Sequence, residues 1–203
     1  MRLEAEGDDF LYKIQPVYKR IVAKCFLNYN SHCKILVDAA MIPFKGWFKL
    51  KVQMPQKLVK CGIEFYELCD SHNGYCKNIQ IYEAYDCEWS QVGKTGRIVL
   101  DLVSGLENAN HHCYMANYYT SPILFILWKN MVMFVTGTAR VRTVCLTEWG
   151  HCTWVSYENF MLAFRWKDKD IFLLSMIHSS PEEIPIPSFD SSDSSSKDER
   201  YVH

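Results

Sequence analysis

The tightest constraint in this chain is a turn. Asp70-Ser71-His72-Asn73-Gly74 separates two stretches of alternating character, 61–69 (CGIEFYELC) and 75–83 (YCKNIQIYE). Asn-Gly readily adopts the left-handed backbone that tight hairpins require. A period of two marks a strand with one buried side. The pattern predicts an antiparallel hairpin over 62–83. Asp70, Ser71 and Asn73 are expected to bond the turn's own backbone rather than to form a polar site.

Residues 33–38 (CKILVD) are a short apolar run that stops on a carboxylate, which predicts a buried strand ending at Asp38. Residues 111–116 (HHCYMA) predict a second. Residues 10–29 predict a helix with Ile14, Val17, Ile21, Val22, Cys25 and Phe26 on one broad face. Pro16 suits a first turn, so the helix is expected to start near Gln15. Residues 94–107 predict a second helix, with Ile98, Val99, Leu102, Val103 and Leu106 as its apolar stripe. Ser121 as cap and Pro122 in the first turn open a third, running to about Asn130. A β-branched strand is expected at 131–138, and shorter strands at 152–165 and 170–177. This order of elements is mixed α/β.

Composition narrows the class further. The formal net charge is −1, which does not announce a nucleic-acid binder. The Ser-rich segment 179–203 holds six acids against Lys197 and Arg200, leaving a mildly basic body. That segment is too polar to offset its ordering entropy and is expected to be disordered. The nine cysteines are irregularly spaced, which reads as reduced thiols, mostly buried as small apolar residues. Met1–Phe10 is acidic and polar, unlike a secretory signal. The longest apolar stretch, Ile123–Val135, is broken by Lys129 and Asn130 and falls short of the roughly 20 residues of a membrane span. A nuclear or cytoplasmic location with no membrane partner is the expectation.

Two segments are more specific than pattern. One is Val37-Asp38-Ala39-Ala40-Met41-Ile42-Pro43-Phe44-Lys45-Gly46, followed by Met54-Pro55, Lys57, Cys69-Asp70-Ser71 and Gly74-Tyr75. The other runs from His111-His112-Cys113-Tyr114-Met115-Ala116-Asn117 through Tyr118-Tyr119-Thr120-Ser121-Pro122. Leu11-Tyr12-Lys13-Ile14 and Trp166-Lys167-Asp168-Lys169 are weaker echoes. Together, over about residues 10–178, they resemble the catalytic domain of piggyBac transposases and the proteins derived from them.

That resemblance implies a ribonuclease H-like sheet with an inserted β-rich subdomain. It also implies DNA cutting and joining by two divalent ions held on three aspartates. Such ions sit roughly 4 Å apart and need several carboxylates around them. Asp38 matches the first aspartate. The family usually follows it with Glu, where this chain has Ala39. The second aspartate belongs in the string Met-Asp-Asn-Tyr-Tyr-Thr-Ser-Pro, where Ala116 stands here. The third lies on a helix for which no counterpart is expected before the serine-rich tail.

The chain therefore reads as an incomplete ribonuclease H-like core (10–138) with part of the inserted subdomain (139–178), a frayed start (1–9) and a disordered acidic tail (179–203). Asp38 is expected to be vestigial, a strand-end carboxylate, with the ancestral Mg²⁺ site degraded and no cofactor. Without the closing helix, one sheet face is expected to be bare.

Lys45, Lys49, Lys51, Lys57 and Lys60, interleaved with Phe44, Trp47 and Phe48, form a local basic strip. It reads equally as a phosphate-contacting face, where binding would be weak, non-specific and salt-dependent, or as a solvated loop. The family often has Arg at the position of Trp47. His111, His112 and Cys113, like Cys145, His151 and Cys152, lack the paired spacing of a zinc site. Lys167 to Asp170 alternate in sign and read as a surface turn. The leading expectation is a catalytically inactive, truncated transposase-derived domain. The alternatives are a module pairing with itself or an intact transposase, and a decaying product without a role.

Overall fold

The computed structural model describes residues 11–82, 92–129, 131, 133–139, 152–157, 161–166 and 171–178. The serine-rich tail, Lys167 to Asp170, Cys145 and His151 lie outside the described residues. In chain order the elements are α1 (Gln15–Leu27), β1 (Lys34–Pro43), β2 (Lys51–Gln53), β3 (Cys61–Asp70), β4 (Cys76–Ile81) and α2 (Gly93–Val103). There follow β5 (His112–Met115), α3 (Pro122–Lys129), β6 (Phe134–Thr138), β7 (Cys152–Tyr157), β8 (Met161–Trp166) and β9 (Ile171–Ser175).

The expected hairpin is β3–β4, paired antiparallel with a register shift between Leu68 and Cys69. Gly74 has φ +72°, the left-handed turn geometry that Asn-Gly foretells. The first strand is longer than expected. It runs five residues past Asp38, because Ala39 to Pro43 pair with Gly62 to Tyr66 of β3. The same β1 pairs parallel with β5, and β5 with β6. β6, β9, β8 and β7 continue the sheet antiparallel. The short β2, which no local pattern foretells, pairs with the start of β3.

One face of the sheet carries the core. Ile35, Val37, Tyr66, Leu68, Cys113, Met115 and Val135 pack against Ile98, Val99, Leu102 and Val103 of α2 and against Leu124, Phe125 and Trp128 of α3. The predicted stripe of α2 is buried as expected, but the helix stops at Val103. Gly105, at φ +87°, turns the chain so that Leu106 is buried from outside the helix. Ser121 caps α3 through its Oγ, which accepts the Leu124 N–H at 3.3 Å. On the other face Leu36 and Phe134 remain 37% and 39% exposed.

The broad apolar face expected of α1 divides in two. Tyr18, Val22, Cys25 and Phe26 are half-buried, while Ile14, Val17 and Ile21 are at least half exposed, and no α1 residue is fully buried. The helix meets the sheet mainly at the edge strand β4, which covers only a narrow stripe. Side chains hold it there. Tyr18 donates its hydroxyl to the Ile79 carbonyl at 2.6 Å. Lys77 is buried and donates its ammonium to the carbonyls of Phe26 (3.1 Å) and Tyr29 (2.6 Å), closing the C-terminal end of α1. Burial pulls the Lys77 pKa below the usual lysine value.

Asp70 does more than make the turn. It is fully buried. One carboxylate oxygen accepts the His72 N–H at 2.8 Å, as an Asx turn requires. The other accepts the Tyr29 hydroxyl (2.8 Å), the His32 N–H (2.8 Å) and His32 Nδ1 (2.9 Å). The hairpin tip is thereby tied to the α1–β1 connection. Burial opposes the charge, but these donors outweigh it and hold the carboxyl well below the usual carboxylate range.

A depressed native pKa contributes stability above the unfolded value of about 3.9, and that stability is lost as pH falls below it. Asp70→Asn is expected to lower the unfolding free energy at neutral pH by about 2 kcal/mol or more. It should also flatten the acid limb of the stability profile. Urea denaturation from about pH 7 down to about pH 3 measures both.

Candidate functional site

The parallel register places Val37 beside Met115, so the next residues, Asp38 and Ala116, emerge together at the carboxyl end of β5, where its pairing with β1 stops. Clefts in α/β sheets form at such ends. Here a cleft of about 610 Å³ is walled by Asp38, Ala39, Lys57, Glu64, Ala116, Asn117 and Tyr119, among others. Asp38 and Ala116 thus lie side by side in the lining of one cleft.

Asp38 is exposed, and its Oδ1 accepts the N–H of Ala39 at 2.8 Å. Its antiparallel neighbour across the strands is Glu67. Burial, reinforced by the Asp38 charge, pushes the Glu67 carboxyl up. A third carboxylate, Glu64, is buried on the β3 wall. It is already neutralised, because Lys57 Nζ lies 3.0 Å from its Oε1 and 3.5 Å from the Ala39 carbonyl. Burial raises the Tyr119 hydroxyl pKa, so it stays a neutral phenol.

A pair of dications needs several oxygen anions converging on one point. In the described cleft lining Ala116 offers a methyl, Asn117 a neutral amide and Glu64 a carboxylate already bonded to Lys57, while Glu67, across the strands from Asp38, is not part of that lining. Such a donor set does not fit two divalent ions.

The five lysines of the basic strip differ in their surroundings. Lys45, Lys49 and Lys60 are exposed. Lys51 is half-buried and donates to the Gly46 carbonyl at 3.0 Å. Lys57 points into the cleft. Of the interleaved aromatics, Trp47 is 93% exposed, while Phe48 packs on a small second core of Leu11, Leu50 and Ile81.

The His111–Cys113 cluster also divides, since successive strand residues face opposite ways. His111 is buried with Nδ1 donating to the His32 carbonyl at 3.0 Å, and Cys113 lies in the core. His112 is half-buried with its ring edge-on to Phe134. Sequence reading missed the Lys57–Glu64 pair and the juxtaposition of Cys69 with Cys76. The second was detectable, because closing the hairpin at Asn73-Gly74 sets those two cysteines opposite each other.

Lys57→Met would leave the Glu64 carboxylate buried without its cation. The expected cost is about 1–3 kcal/mol, toward the lower end because Lys57 is a third exposed. The double variant Lys57→Met/Glu64→Leu should recover most of it, as a denaturant double-mutant cycle will report.

Comparison with known proteins bears on this cleft. Residues 2–194 match the family model described as Transposase IS4. Among solved structures, the piggyBac transposase in its synaptic complex with hairpin DNA superposes with a TM-score of 0.74 at 19% identity. That match covers 91% of this chain and 40% of the transposase, so this chain spans less than half the length of that protein. Endonuclease V from Bacillus subtilis aligns at a TM-score of 0.33 and 10% identity, over 86% of this chain and 78% of that one, too weakly to carry an argument. The family match spans nearly the whole sequence and the fold agrees with it: the chain belongs to the Transposase IS4 family and has the mixed α/β, ribonuclease H-like fold of the piggyBac type.

Proposed function

We propose that this chain is a catalytically inactive transposase-derived domain that keeps a weak, non-specific attraction to DNA. The observation that carries this reading is the pairing of β1 with β5, which sets Ala116 beside Asp38 where a second carboxylate would have to stand. Lys57 adds to it. An ammonium bonded to Glu64 in the same cleft repels an incoming dication and occupies the one other carboxylate among the described residues lining that cleft. No Mg²⁺ chemistry is assigned to the site. The DNA attraction rests on Lys45, Lys49 and Lys60, exposed near the cleft-forming segment, and on the likeness to a transposase that was determined with DNA. Contacts of that kind go to phosphates and carry no sequence information.

A second reading has its own observation. Leu36 and Phe134 on the open sheet face, with Ile14, Val17 and Ile21 on α1, are apolar surface suited to a protein partner such as a second copy or a related transposase. Sedimentation of the purified chain separates the two readings. A concentration-independent monomer removes self-association.

The central test is cleavage. DNA ending in terminal inverted repeats, incubated with the chain and Mg²⁺ or Mn²⁺, is expected to stay intact. Nicking that vanishes on Asp38→Ala would overturn the reading. For the DNA attraction, replacing Lys45, Lys49 and Lys60 by Ala is expected to weaken binding alike for unrelated sequences. The slope of log K against log salt should shrink by up to about 3, measured by fluorescence anisotropy.

A further inference from the structure

The hairpin carries a donor cluster separate from the cleft. Cys69 and Cys76 are register partners across β3 and β4, just before the turn. Glu67, two residues earlier on β3, projects to the same face as Cys69. One donor atom from each of Glu67, Cys69 and Cys76 lies within 4.8 Å of the other two, and all three side chains are half-buried. Cys76 donates its thiol to the Asn78 carbonyl at 3.5 Å, and its closeness holds the Cys69 thiol below the usual thiol value while that of Cys76 is pushed up.

We propose that Glu67, Cys69 and Cys76 form a binding site for a single thiophilic divalent ion of the zinc class.

The chemistry selects the metal. Two sulfurs and one carboxylate oxygen suit a borderline-soft ion, whereas Mg²⁺ and Ca²⁺ take oxygen ligands alone. Ligand atoms about 2.0–2.3 Å from a tetrahedral ion stand roughly 3.3–3.8 Å from one another. A cluster already within 4.8 Å therefore closes by at most about 1.5 Å, within the reach of side-chain adjustment. Three protein ligands leave a fourth position for water.

Surrounding charge favours a cation. Asp38 sits across the strands from Glu67, and its field reaches Cys69 as well. Cys25 of α1 acts on Cys76 electrostatically but is not one of the three ligands. On binding, the thiol protons still held by the pair pass to buffer, and both sulfurs coordinate as thiolates. The bound ion would link β3 to β4 beside the Asp70 turn. This inference does not depend on whether the cleft is active.

The test uses the full chain, reduced with a phosphine, and Co²⁺ as the probe. The expected result is a thiolate-to-cobalt charge-transfer band that saturates at one equivalent, is displaced by Zn²⁺ and is unaffected by excess Mg²⁺. Glu67→Gln should weaken binding at least about tenfold. Cys33→Ser and Cys61→Ser, at exposed thiols, should leave it unchanged. Cys69→Ser/Cys76→Ser should abolish the band.

Because that double variant can disturb the hairpin, alkylation of the wild-type chain with and without Zn²⁺, mapped by mass spectrometry, gives an independent readout. Cys69 and Cys76 should be the protected pair. The proposal is overturned by the absence of a charge-transfer band, by a band that survives in the folded double variant, or by protection that falls on other cysteines.

Discussion

Everything at the cleft follows from the two-residue period of two parallel strands. Burying Ile35 and Val37 of β1, and Cys113 and Met115 of β5, against α2 and α3 fixes which way each strand faces. Asp38 must then turn to the opposite side, at the level where Ala116 follows Met115 against the edge of the core. A slip of one residue would send Asp38 into the apolar core, where an unpaired carboxylate costs several kcal/mol. The core that stabilises the sheet also sets the address of the site, and it does so whatever residue stands at that address. An alanine at 116 is tolerated because the scaffold never needed a carboxylate there.

Much of the fold was legible because its signals are local. The Asn73-Gly74 turn, the Ser121-Pro122 helix start and the apolar runs at 33–38 and 111–116 each act within a few residues. What was missed depends on partners distant in sequence. β1 continues past Asp38 only because β3 arrives to pair with Ala39 to Pro43. The three-residue β2 has no pattern of its own and exists through β3. The helical period of α1 marks its apolar positions, but not that an edge strand is too narrow to cover all of them.

The site divides in the same way. The pairing of Asp38 with Ala116 could be read from ordered strings of residues. The role of Lys57 could not. In the sequence it is one of five lysines in a basic strip, and only the β2–β3 connection, folding back on β3, brings it to Glu64. Asp70 is a similar case. Its turn-forming role is local, whereas its bonds to Tyr29 and His32 span the α1–β1 connection. Charge in this molecule is handled in pairs and hubs assembled by topology, so a count along the chain misjudges how much of it is available to a ligand.

The manner in which α1 is attached has a consequence for the order of events when the molecule loosens. The helix buries no residue fully, and it is fastened by bonds from side chains such as Tyr18 and Lys77 to main-chain carbonyls. An element held that way opens at a lower free energy than the sheet behind it. Once it lifts, Lys77 is released to water and the outer margin of β4 loses its cover. Among the described residues β4 pairs with β3 alone, so its vacant amides and carbonyls would then lie open to any extended peptide. The first step of unfolding thus creates an adhesive margin while the rest of the architecture still stands.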